Sequence, residues 1–174
     1  MKKLMIYGAT GYVGRMAAEY AKAQGLDIVI AGRSHDKVRA FAAELDAPYR
    51  VFAPDARTAE SLDGVDVLVN FAGPFAQTAD ALMRACIKAG VDYLDITAEI
   101  NVYRLAERLD AEAAKSGVML LPGVGWDVVP TDCLAVHVAR RVQDPQSLSI
   151  ALRSRVPCHV DRPAVSAKSL ERDF

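Results

Sequence analysis

The chain has 174 residues, 52% of them hydrophobic, enough for one domain with a substantial core and the opening of a second. Its 21 lysines and arginines nearly cancel 22 acidic residues, leaving a net charge of −1, so no broad field favours nucleic acid or an anionic membrane and a small-molecule partner is expected. The N-terminal apolar run breaks at Gly8, too short for a signal-peptide core or a membrane span, which points to the cytoplasm; Cys86, Cys133 and Cys158 are too scattered for a disulfide framework or a zinc site, and no metal is expected.

Short Val-, Ile- and Leu-rich runs alternate with longer stretches of helical period, so the fold class expected is α/β, a doubly wound parallel sheet of Rossmann type. In chain order, a strand over Lys3 to Tyr7 precedes a helix over Val13 to Gln24, and a strand over Asp27 to Ala31 precedes a helix over Asp36 to Leu45. Strands follow at Tyr49 to Phe52 and Val65 to Phe71, then a helix over Thr78 to Ala89. A strand at Tyr93 to Asp95 leads to a helix over Asn101 to Lys115, and a strand at Val118 to Leu121 to a helix over Thr131 to Arg141. Gly25, Gly90 and Gly117 stand where left-handed C-caps belong, and Ser34 and Thr131 where N-caps belong. The dinucleotide-binding domain is expected over residues 1–145. Residues 146–174 are expected to begin a second, substrate and dimerisation domain that is cut short, entered by an alternating strand over Ser147 to Ser154 and followed by a loosely ordered tail.

GATGYVG, directly after the first strand, is the most informative motif. Gly8 suits the tight turn into the helix, Gly11 a close approach of backbone to a pyrophosphate, and Gly14 close packing of helix on sheet. The amides of Thr10, Gly11, Tyr12 and Val13 are then expected to face the anion, aided by the helix dipole. The second strand ends IVIAGRSHDK, without the acidic residue that accepts the ribose hydroxyls of NAD. Arg33, Ser34 and Lys37 stand there instead, where an adenosine 2′-phosphate would lie, so the cofactor expected is NADP. At the end of the fourth strand, Ala72 and Gly73 would let the cofactor pass close to the backbone, with Pro74 fixing the loop's exit.

GATGYVG, AGRS, NFAGPF, YLDITAE and GVGWDVVPTD, in that order over residues 1–154, resemble the saccharopine dehydrogenase-like oxidoreductases and their trans-acting enoyl reductase relatives. The resemblance implies an NADP-dependent oxidoreductase with Gly8, Thr10, Gly11, Tyr12, Val13, Arg33, Ser34, Ala72 and Gly73 at cofactor positions. It also implies a larger second domain on the substrate side, and VPCHVDRP departs from the family's Ser- and Gly-containing turn at its start.

Catalytic residues are not identified. Asp95, Thr97, Glu99, Asp127 and Asp132 are placed where they can approach the open sheet edge, to orient a substrate or relay protons, while Asp95 can instead bond loop amides and Asp132 support the first turn of the helix after Thr131. Trp126 can pack on the nicotinamide or on the core. Cys86 and Cys133 read as buried apolar residues, and His35, His137 and His159 as structural or exposed. No tyrosine has a lysine four residues on, which disfavours a short-chain reductase, and a semialdehyde dehydrogenase nucleophile is poorly supported. The alternatives to a working oxidoreductase are a catalytically silent NADP-binding module or fragment, and a nucleotide-sensing regulator. A homodimer paired through the strand at Ser147 to Ser154 is also expected.

Overall fold

The computed structural model describes residues 2–126 and 128–150. Six strands, β1 (Lys3–Tyr7), β2 (Asp27–Gly32), β3 (Tyr49–Val51), β4 (Val67–Asn70), β5 (Asp92–Asp95) and β6 (Leu120–Leu121), form one parallel sheet in the order β3-β2-β1-β4-β5-β6. Helices α1 (Tyr12–Ala23), α2 (His35–Glu44), α3 (Phe75–Ala89) and α4 (Ile100–Ser116) connect them. The order reverses between β1 and β4, and that switch opens the crevice in which α/β sheets of this kind take ligands. The expected doubly wound α/β class is the observed one.

Alternation along each strand sorts side chains between two faces. Met5, Tyr7, Val29 and Ala31 point into one core with Leu68, Leu82, Met83, Tyr93, Val102 and Leu109. Ile6, Ile28 and Ile30 point the other way, onto Ala18, Ala21, Val38, Phe41 and Ala42. Small alanines on α1 and α3 let the helices lie close to the sheet. The glycine stops act as expected: Gly25, Gly90 and Gly117 have φ values of 73°, 70° and 67°, a region that costs glycine little.

Several boundaries differ from the sequence reading. Helix α3 begins at Phe75 rather than Thr78 because a distant side chain, described below, caps it. A 3₁₀ turn at Thr58–Leu62 has too few residues for a recognisable period. Strand β6 is only two residues long, because Val118 and Met119 are still leaving α4.

The described residues through Val128 form one compact unit and those from Val129 another. In the second, α5 (Val129–Ala139) carries Thr131 inside its first turn and not at the N-cap, since Pro130 is tolerated so near a helix start and the helix begins before it. The expected strand at Ser147 to Ser154 is not found over residues 147–150, where no segment among the described residues supplies ladder hydrogen bonds; residues 151–154 and the tail beyond them lie outside the described residues. No helix among the described residues is long and apolar enough to cross a membrane.

Candidate cofactor site

The turn from β1 into α1 is built around atoms that leave no room for side chains. Gly8 has φ of 80°, and a Cβ there would lie 2.7 Å from Ala72 N and 2.9 Å from Phe71 C; a Cβ on Gly14 would overlap the Gly8 carbonyl oxygen and lie 3.0 Å from Ala9 Cα. Gly11 is less constrained, its added Cβ meeting only Gly8 O at 3.3 Å. Its amide closes the turn by donating to Gly8 O at 3.0 Å. The expectation that all four amides from Thr10 to Val13 face an anion is therefore corrected at Gly11. Among the described residues, no acceptor meets the amides of Thr10, Tyr12, Val13 or Gly14. Those of Tyr12, Val13 and Gly14 are first-turn groups without intrahelical partners, at the positive end of the α1 dipole. Tyr12 itself is 84% exposed.

Beside this turn, β2 delivers Arg33, Ser34 and Lys37 to the same end of the sheet. Arg33 and Lys37 are exposed and enter no ion pair among the described residues. Ser34 occupies the N-cap position of α2, its carbonyl accepting from Val38 N at 2.9 Å, but its hydroxyl makes no capping bond. Among the described residues none of these three side chains has a hydrogen-bond or ion-pair partner. Arg33 lies near enough to Tyr7 to act on its hydroxyl: burial pushes that group up to about 12, and the Arg33 charge pulls against the shift.

The third wall is the loop between β4 and α3. Phe71 N donates to Tyr7 O at 2.8 Å, which sets the loop against β1. Asn70, fully buried, accepts from Ala72 N at 2.9 Å through Oδ1. Its Nδ2 donates to Thr78 Oγ1 at 3.0 Å and to the Tyr93 hydroxyl at 3.1 Å, while Thr78 donates to Ala72 O at 2.8 Å. Tyr93 donates to Asp95 Oδ2 at 2.8 Å. Asp95 Oδ1 accepts from Thr97 N at 2.9 Å and Gly123 N at 3.0 Å. Thr97 Oγ1 accepts from Glu99 N at 3.0 Å, and both Glu99 carboxylate oxygens accept at 2.9 Å, from Phe75 N and Ala76 N. Gly73 and Pro74 are exposed between these anchored positions, and the Gly73 amide has no partner among the described residues.

This network engages several of the candidates within the protein. Asp95 and Thr97 are fully buried; burial pushes the Asp95 carboxyl above the usual range, against the opposing pull of the Thr97 and Gly123 amides. Glu99 is a cap for a neighbouring helix. Neither carboxylate has an oxygen free of protein partners. Asn70 stood out in the sequence only as the first residue of the loop on the carboxyl edge, and Thr78 and Tyr93 not at all, since a Tyr within a strand and a Thr at a helix start carry no local signal of such bonds.

Trp126 is 80% exposed at the β6 end of the edge, so the core packing expected of it as one alternative is not found. Asp127 lies outside the described residues, and Asp132 sits in the first turn of α5. Cys86 is buried and its thiol driven far upward by desolvation, but Cys133, expected to be buried, is exposed because no residue of α5 is buried. Cys158 and His159 lie outside the described residues. His35 is exposed with Nδ1 3.1 Å from Asp36 Oδ1, and His137 lies on α5. Among the described residues no three His, Cys, Asp or Glu side chains gather as metal ligands would.

The residues present fit a phosphorylated dinucleotide: a Cβ-free turn, unpartnered amides at a helix start, and an unpaired cation beside an unbonded hydroxyl one strand away. Comparison with known proteins agrees. The profile of the saccharopine dehydrogenase NADP-binding domain matches residues 4–121. A Mycobacterium tuberculosis protein bearing the provisional name trans-acting enoyl reductase is 34% identical over 139 residues, 74% of this chain and 33% of its own length. A Mycobacterium bovis trans-acting enoyl reductase is 30% identical over 148 residues, 79% of this chain and 35% of its own. Among solved structures, saccharopine dehydrogenase (L-Glu forming) of Saccharomyces cerevisiae superposes with a TM-score of 0.69 at 15% identity, over 80% of this chain and 31% of that one. The chain spans about a third of the length of these relatives.

Proposed function

Because the chain belongs to the saccharopine dehydrogenase family through its NADP-binding domain, we propose that it forms the cofactor half of an oxidoreductase, with Gly8, Thr10, Gly11, Tyr12, Val13 and Gly14 around the pyrophosphate. Arg33, Ser34 and Lys37 take the 2′-phosphate, and Ala72, Gly73 and Pro74 line the path toward the nicotinamide. The unpartnered Arg33 guanidinium beside the unbonded Ser34 hydroxyl carries the reading most directly, since a bidentate cation and a neutral donor match a phosphate better than a ribose diol.

Bound NADPH supplies a hydride at its nicotinamide ring. The protein's contribution is binding and orientation: amides at the start of α1 meet the diphosphate, Arg33 fixes the adenosine end, and the anchored loop at Ala72 to Pro74 limits where the ring can lie. The relatives' name suggests an enoyl substrate. For such a group, NADP held by the α1 amides and Arg33 would supply the hydride chemistry at the carbon β to the carbonyl, with a proton exchanged at the α carbon. The domain that selects the substrate is taken to lie mostly after residue 145.

A second reading is a catalytically silent NADP-binding module. It is favoured by the commitment of Asp95 and Glu99 to protein donors, which leaves neither carboxylate in place to transfer a proton.

Calorimetric titration with NADPH and NADH, repeated on Arg33→Ala, tests the cofactor reading. NADPH-selective binding is expected, with most of the selectivity lost in the variant; equal affinities for both cofactors in the unaltered chain overturn the assignment of Arg33. Single-turnover oxidation of bound NADPH on adding an enoyl thioester separates enzyme from silent module.

A further inference from the structure

Following the hydrogen bonds away from Ala72 returns to the same loop four residues later. Ala72 N is held by Asn70, Asn70 by Tyr93, Tyr93 by Asp95, Asp95 by Thr97 and Thr97 by Glu99, whose carboxylate holds Phe75 N and Ala76 N. The circuit crosses from β4 to β5 and back. It anchors the loop at both ends and leaves Gly73 N–H as the one amide between Ala72 and Ala76 with a proton and no acceptor among the described residues, Pro74 having none. Gly73 also has room around it: an added Cβ would meet only Phe75 Cε2 at 3.6 Å and Cδ2 at 3.9 Å.

We propose that Glu99 is a positioning residue for the dinucleotide, capping α3 from the next loop and thereby presenting the Gly73 amide, preset, to the nicotinamide half of NADP. The assignment rests on the cofactor reading above. Helix α3 opens on Pro74, which offers no side-chain cap, so without Glu99 the Phe75 and Ala76 amides face water and the loop between Ala72 and Phe75 loses its downstream anchor. A carboxylate that accepts two backbone amides is a charge-assisted cap, stronger than a neutral one. It also fills the positive end of α3, so that end is closed to a ligand anion, in contrast to the open start of α1. The anionic part of the cofactor is directed to α1 and the neutral carboxamide end to Gly73.

The test compares two ligands on the full chain. Adenosine 2′,5′-bisphosphate reaches the α1 turn and Arg33 but has no nicotinamide half, whereas NADPH reaches both. Glu99→Gln keeps the shape and removes one acceptor oxygen. It is expected to bind the bisphosphate with the unaltered affinity and NADPH about tenfold more weakly, the scale of one charge-assisted hydrogen bond no longer ordering the loop. A general loss of structure would weaken both ligands together, and equal loss for both, or no loss for either, overturns the proposal. Failure of the unaltered chain to bind either ligand would instead count against the cofactor reading. Amide hydrogen exchange on the unaltered chain gives a second check that needs no variant. Phe75 and Ala76 should exchange slowly with and without NADPH, while Gly73 should exchange quickly alone and slow on addition of NADPH. Fast exchange at Phe75 and Ala76 in the free chain, or a Gly73 amide indifferent to NADPH, sinks the positioning role.

Discussion

The hydroxyl of Tyr7 donates to the carbonyl of Phe52 at 3.1 Å while the two rings lie 4.9 Å apart between centroids, so the end of β1 is fastened to the chain leaving β3 across the intervening strand β2. The pairing buries a phenol whose ionised form has no place in the fold. Its ionisation is pushed from 10.0 up to about 12 by burial, with Arg33 opposing. In the unfolded chain the same group loses its proton near 10. The native state therefore holds the proton more tightly, and its stability is full below pH 10 and falls as the pH rises from 10 toward 12, by about 3 kcal/mol in all. Denaturant melts across that range should show the fall, and Tyr7→Phe should remove this part of the pH dependence. Arg33→Ala should move the Tyr7 ionisation still higher in an ultraviolet titration.

Three glycines near the nucleotide turn should respond differently to alanine. Gly14→Ala and Gly8→Ala place a Cβ against backbone atoms that cannot turn aside, and Gly8 also has a left-handed φ. Each should cost roughly 2 kcal/mol or more in thermal unfolding. Gly73→Ala meets only ordinary contacts within the protein, so its stability should change by less than about 0.5 kcal/mol. Its NADPH affinity should fall nonetheless, because the added methyl stands where a ligand has to approach. Unchanged NADPH binding in Gly73→Ala would move the ligand path away from this loop.

Substitutions at Asp95 separate charge from hydrogen bonding. Asp95→Asn can still accept the Thr97 and Gly123 amides through one oxygen, but its new amide group faces the Tyr93 hydroxyl, which already receives a hydrogen bond from Asn70. One buried proton is left without an acceptor, partly offset by the relief of burying a charge. A loss of about 1 kcal/mol is expected. Asp95→Ala strands all three donors and should lose roughly 3 kcal/mol or more in urea denaturation. Equal losses for the two variants would mean that the charge, not the donors, sets the cost.

Arg33→Ala and Lys37→Ala test whether the polar rim serves the fold. Both side chains are exposed and without ion pairs among the described residues, so their removal should leave the thermal midpoint nearly unchanged. A marked drop would indicate a structural partner and weaken the case that these cations await a phosphate.

What the sequence made legible follows the range of the forces involved. Gly8, Gly14, Gly90 and Gly117 do local work, at turns within a few residues of the strands and helices they join, and their positions could be read directly. The alternation of Met5 and Ile6, or of Val29 and Ile30, is equally local. The start of α3 was misplaced because its cap is Glu99, 24 residues downstream, and no pattern around Phe75 records that partner. The same distance hid the capping duty of Glu99, whereas the bonding of loop amides by Asp95 was one of the alternatives open to it in the sequence and is the one found. Two carboxylates near a sheet edge look alike whether they face a substrate or the chain's own amides, and only the fold distinguishes them.

The sheet keeps its two cores apart, one under α3 and α4 and the other under α1 and α2, and β1 and β2 supply buried side chains to both. Gly14 on α1 and Ala72 just before α3 flank the same crevice from opposite layers. A dinucleotide laid between them would act as a staple through the seam of a two-ply fabric, so that peeling either layer open requires releasing the ligand first. Slow-exchanging amides around Ala18 in one layer and Leu82 in the other should then gain protection together as NADPH is added.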